Sequence, residues 1–131
     1  MAIKDLNNLI KNMSPELVEK GFVFCTINKS IDMKIVPKMV FREKEGATLI
    51  LKKDQADGYK LSYEGTWDMI TLNVNSDLGA IGFLAKITEA LAKEGISVNA
   101  VSAYYHDHLF VPSNKSGKAL KILRNLTGTL R

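Results

Sequence analysis

Apolar and polar residues alternate from Ile70 to Asn75: Ile70, Leu72 and Val74 share one face, and Thr71, Asn73 and Asn75 the other. That is the pattern of a half-buried strand. The period then changes. Ala80, Phe83, Leu84, Ile87 and Leu91 recur at i, i+3, i+4, i+7 spacing, which predicts an amphipathic helix over residues 78–94. Ser76 or Asp77 is placed to cap it, and Gly95 to stop it where a left-handed residue is wanted. Ile96–Ala103 and His108–Val111 predict two further strands.

The other segments are simpler. Ile3, Leu6, Leu9, Ile10 and Met13 form an apolar stripe, so the first dozen residues predict a helix, ended at Ser14-Pro15. Phe22–Ile27 is apolar on both alternating faces, as in a strand covered on two sides. Asn28–Pro37 is a polar connection. Met39–Arg42 and Ala47–Leu51 predict a hairpin around Glu43–Gly46, and Lys52–Gly58 one or two helical turns. Leu61–Thr66 reads as a linker or short edge strand. Lys115–Leu126 closes the chain as a helix, leaving Thr127–Arg131 for a last strand.

Strand, helix, hairpin and helix make most of a ferredoxin-like βαββαβ unit, so the fold class expected is α+β. The pattern occurs twice. Val40–Ala56 and Ala103–Ala119 share strand, charged turn, strand and short helix, and Phe22–Ile27 answers to the strand at Ile70–Val74. The first copy is shorter by about the length of the long helix, so it is expected to have lost or shortened its first helix. Two packed, related units follow from such a duplication, bounded at 1–66 and 67–131.

A length of 131 residues allows one core or two small units, and 46% hydrophobic with 24% charged residues is the balance of a soluble globular protein. No apolar run approaches the roughly 20 residues of a membrane span, and the first residues lack a secretory signal pattern. A single cysteine, Cys25, is that of a reducing compartment, so the location expected is the cytoplasm. The net charge of +4 comes from lysines dispersed along the chain rather than from a basic stripe with interleaved aromatics. Nucleic acid and membrane are therefore not the partners expected.

Candidate chemistry gathers at two places. From Asp77 to Phe83, backbone amides at a helix N-terminus favour an anion such as an α-carboxylate. Gly79 and Gly82 permit close approach, and Asp77 is placed to accept from an α-ammonium group. The plainer explanation is a capped helix start. Tyr104–His108 carries two histidines around Asp107. No third or fourth ligand accompanies them, and Asp favours turns for its own backbone bonds, so neither metal nor catalysis is expected there. Asn99, an amide in mid-strand, either faces solvent or bonds a partner group.

Phe22–Thr26, Phe41–Leu51, Ile70–Val74, Ser76–Leu91, Gly95–Pro112 and the closing helix resemble the ACT domain family, more narrowly small bacterial proteins with two tandem, aspartokinase-like ACT units. The resemblance spans residues 20–126 and implies a ferredoxin-like, ACT-type fold in tandem, the first unit degenerate. It implies a non-catalytic regulatory module, without cofactor or metal, that binds a small amino-acid effector at an inter-unit or dimer interface. A homodimer and a regulated partner protein are implied with it. The ligand-binding residues so implied are Asp77, Ala80, Ile81, Gly82 and Phe83, with Asn99 from the adjacent strand. The family commonly has an acidic residue three positions before the glycine; here Gly79 stands there and Asp77 lies two residues earlier. The alternative is a protein–protein interaction module whose ligand site is vestigial.

Overall fold

The computed structural model describes residues 2–28 and 34–128. Its elements are α1 (Leu6–Asn12), β1 (Pro15–Ile27), β2 (Met39–Arg42), β3 (Ala47–Lys52), α2 (Lys53–Gly58), β4 (Trp67–Leu72), α3 (Phe83–Ala92), β5 (Asn99–Ser102), β6 (Asp107–Pro112) and α4 (Ser116–Gly128), the last preceded by a 3-10 turn. They form two tandem ferredoxin-like units of α+β type. By packing, the compact units are Met1–Lys20 with Asp68–Arg131, and Gly21–Trp67. The leading twenty residues therefore pack with the later half of the chain. No helix among the described residues is long and apolar enough to cross a membrane.

In the larger unit the strand order is β1-β4-β6-β5. Period-two alternation sends Ile70 and Leu72 of β4, and Leu109 and Val111 of β6, into one core with Phe83, Ile87 and Leu91 of α3. Helix α1 packs against both α3 and α4, and its Leu9 and Ile10, with Met13 just past its end, are almost wholly buried in the same core. Each such side chain contributes roughly 1.5–3 kcal/mol by leaving water. A ferredoxin-like unit needs a strand beside its first one, and β1 takes that place next to β4. The strand expected at Thr127–Arg131 is absent from the described part: α4 continues through Gly128, and residues 129–131 lie outside the described residues. Thr127, buried, donates to the Ile10 carbonyl at 3.2 Å, so its place is in the helix packing.

The smaller unit orders its strands β2-β3-β1, both pairs antiparallel. Val23 and Cys25 of β1 face Leu49 and Leu51 of β3 and Ala56 of α2 in a second core. Phe24 and Trp67 meet edge to face at 5.6 Å. Between β1 and β2 the described residues, 28 and 34–38, carry no helix. Only Phe22–Ile27 was expected as strand, yet β1 begins at Pro15. Proline is allowed at a strand's first residue, and Gly21, with φ 78°, lets the strand bend in its middle.

The β2–β3 turn rests on Gly46. Its φ is 152°, and a Cβ there would lie 2.6 Å from the Ile27 carbonyl oxygen. Gly46→Ala is therefore expected to destabilise this unit by about 2 kcal/mol or more. Amide exchange of Ala47–Lys52 checks it: exchange should quicken at least tenfold, and unchanged protection would show that the backbone yields cheaply.

Candidate functional site

The segment from Asn73 to Gly82 is shaped by short-range bonds that its composition favours. Val74 N–H donates to Leu72 O at 2.8 Å, turning the chain out of β4. Ile3 then clasps the segment from the side, donating to Asn75 O at 2.8 Å and accepting from Asp77 N–H at 2.9 Å. Asp77 Oδ1 accepts from Gly79 N–H at 2.7 Å, and Asp77 O accepts from Ala80 N–H at 2.9 Å. Asp77 was expected to cap the long helix; it caps this preceding turn instead.

The residue before α3 is Gly82, with φ 88°, and no side chain caps the helix. An L-residue there costs roughly 1–2 kcal/mol, which accounts for the glycine. The helix accordingly starts at Phe83 rather than near residue 78. Lys86 N–H is the first amide returned to the helix ladder, bonding Gly82 O at 3.0 Å. The amides of Phe83, Leu84 and Ala85 thus have no acceptor among the described residues.

These amides border a cavity of about 240 Å³. Asp77, Ala80, Gly82 and Phe83 line it, together with Ser76, Leu78, Leu84, Ala85, Ser102 and Asp107. Asp107 is only 6% exposed, and its Oδ2 accepts from Ser76 Oγ at 3.1 Å. Phe83 lines the cavity and also belongs to the core.

Two of the residues expected at the site are placed elsewhere. Ile81 is 87% exposed and does not line the cavity. Asn99 pairs with Phe110, whereas Ser102 pairs with Asp107. Directly opposed residues share a face and positions three apart do not, so Asn99 lies on the face away from Asp107. Ser76, Ser102 and Asp107 were not anticipated. The signal that finds them is the β5–β6 register, which depends on where the Ala103–His106 turn closes.

His108 Nδ1 lies 2.9 Å from Thr71 Oγ1, and the two imidazole centroids are 6.3 Å apart. Among the described residues no three His, Cys, Asp or Glu side chains are grouped to hold a metal ion. Cys25 is buried, and burial pushes its thiol pKa up, which disfavours the thiolate a nucleophile needs. A larger hollow of about 480 Å³ lies where α1 and α4 end, beside Lys11 and Arg124. Lys11 stands in the last turn of α1, where a cation favours the carbonyl end of the helix, a structural role.

ACT domain family models match residues 1–67 and 63–125. No curated protein matches the chain. Among solved structures, a Vibrio cholerae protein of unknown function, described as a possible transport protein, is 39% identical, with TM-score 0.86 over 95% of this chain and 97% of that one. The ligand-free regulatory subunit of aspartate kinase from Thermus thermophilus is 12% identical, with TM-score 0.61 over 86% of this chain and 94% of that one. Aspartate kinase from Clostridium acetobutylicum is 14% identical, with TM-score 0.66 over 83% of this chain and 33% of that one. At such identities the kinases share the fold alone. ACT domains are regulatory rather than catalytic, and the two adjacent matches with the tandem fold lead to one assignment: this chain belongs to the ACT domain family, as a tandem pair of regulatory, ligand-binding units.

Proposed function

We propose that this protein senses a small amino acid in the cavity at the start of α3 and passes the signal to a protein it regulates. The observation that carries this is the uncapped first turn, Phe83–Ala85, opening on a cavity that also holds two carboxylates. Amide donors at the positive end of a helix suit an α-carboxylate, and Asp77, with one oxygen bonded to Gly79 N–H, has the other for an α-ammonium group. A volume of about 240 Å³ is below that of drug-sized sites, roughly 300–1,000 Å³. Asp77, Ala80, Gly82 and Phe83 are the binding residues in this reading, and Ser76, Ser102 and Asp107 join them. Ile81 and Asn99 are left to the surroundings.

The same reading makes the active species a homodimer, with a second copy covering the cavity. It is supported by Leu78, which lines the cavity, and by Ile81, Tyr104 and Tyr105, which flank lining residues in sequence, all at least 64% exposed. The repeat boundary belongs to it as well: units at 1–66 and 67–131, supported by matches at 1–67 and 63–125. Those exposed side chains also support a second reading, in which this surface binds a protein and the cavity is vestigial.

Thermal denaturation against the twenty amino acids separates the two. A ligand at one hundred times its Kd stabilises the fold by about 2.7 kcal/mol, which for a chain of this size raises Tm by roughly 10 °C. At least one amino acid is expected to do so. A flat response to all twenty at millimolar concentration leaves the interaction module standing instead.

A further inference from the structure

We infer that the groove between α3 and α4 receives an acidic amphipathic helix of another protein, an inference that rests on the regulated partner proposed above and adds its docking surface and charge. The groove is a hollow of about 440 Å³. Ala90 of α3 and Ile122 and Leu126 of α4 line it, all half-buried. Two packed helices with an apolar seam still open to water suit a third helix, which lays its own apolar stripe between them.

The fold gathers here charges that lie far apart in the sequence. Lys86 and Lys93 line the groove with Glu89 and Glu94, and Lys93 is already paired with Glu89 at 3.3 Å. On α4, Lys118 stands one turn before Ile122 and Lys121 one turn before Asn125, stacked on the same side of the helix. Lys86, Lys118 and Lys121 are exposed and have no carboxylate partner among the described residues, which leaves three cations against Glu94. The helix itself does not account for Lys118. It stands in the first turn of α4, where the dipole favours acidic side chains and none occurs. Glutamates beside the apolar stripe of an incoming helix would meet these lysines. A second copy of this chain would bring the same surplus of lysines to the same face. Duplex DNA would find two glutamates in the groove and neither an arginine nor an aromatic side chain lining it.

The probe is a synthetic amphipathic peptide of about fourteen residues, matching the roughly 20 Å of α4, with leucines on one face and glutamates beside them. A glutamine analogue keeps the leucines and loses the charge. Calorimetry of the full chain is expected to show the glutamate peptide bound at least about tenfold more tightly than the glutamine one, the joint effect of several surface ion pairs. Amide resonances of Ala90, Ile122 and Asn125 should shift on binding. Lys118→Glu with Lys121→Glu, both at exposed positions, should erase the preference and leave the glutamine peptide within about twofold, which also shows that the variant folds. If the two peptides bind the native protein equally, the charge given to the partner falls. If the shifts lie elsewhere, or nothing binds at about 1 mM peptide, the groove is not the docking surface. Tighter binding of a short duplex DNA, or of phosphatidylcholine vesicles carrying phosphatidylserine, at the same ionic strength overturns the choice of a protein partner. A flat thermal response to the amino acids with the peptide bound removes the effector reading alone, and a positive response with no peptide bound removes the groove alone.

Discussion

Asp68→Ala is expected to lower the stability of the larger unit by about 3 kcal/mol, the largest loss from any single polar side chain here. Asp68 is 2% exposed and stands near the start of β4. Its Oδ1 accepts from Ser113 Oγ and its Oδ2 from Ser116 Oγ, each at 2.7 Å. Ser116 is the first residue of α4, so the carboxylate sits where the helix dipole is positive and favours it. It ties β4, the strand that leads to the loop before α3, to the helix on which α1 packs. Alanine leaves two short, buried or half-buried hydroxyl groups without their acceptor and opens a small void. Ser116 can fall back on the Ser113 carbonyl, already 3.2 Å away, which keeps the loss from doubling.

Asp68→Asn separates shape from charge. Asparagine keeps one acceptor, and the hydroxyl facing its amide can rotate to accept, so the expected loss is only about 1 kcal/mol. Urea unfolding measures both variants, the alanine change lowering the midpoint by roughly 1.5 M for a slope near 2 kcal/mol/M. An alanine variant within about 0.5 kcal/mol of the native protein would mean that water replaces the carboxylate at no cost.

Most of the architecture was legible because period and punctuation agree along this chain. Ile70 and Leu72 alternate and are buried in β4, Ile87 and Leu91 recur at helical spacing and face the same core, and Gly95, with φ 72°, ends α3 as expected. Errors came where long-range pairing decides. Nothing local marks Glu16–Lys20 as strand, since Leu17-Val18 and Glu19-Lys20 break any period-two alternation; β1 extends there because β4 lies alongside. The start of α3 was misplaced because Asp77 satisfies a turn of its own before the helix begins. The carboxylate of Asp107 was hidden for a related reason. In sequence it reads as a turn residue between two histidines, and only the register opposite Ser102 carries it to the cavity wall.

That register yields the sharpest test of where the ligand sits. Ser102→Trp is expected to weaken effector binding more than a hundredfold, and Asn99→Trp on the same strand to leave it within about twofold. Both positions are exposed on β5, so neither indole disturbs a core, and tryptophan is favoured in strands. Stability without ligand should change by less than about 0.5 kcal/mol in either case. The two differ only in face. Ser102 opposes Asp107 and lines the cavity, so an indole there fills part of that cavity. Asn99 opposes Phe110 on the other side of the sheet. Calorimetry with whichever amino acid gives the largest thermal shift measures both. If Asn99→Trp abolishes binding and Ser102→Trp does not, the ligand is held on the opposite face of β5, and the uncapped amides of α3 are not what binds it.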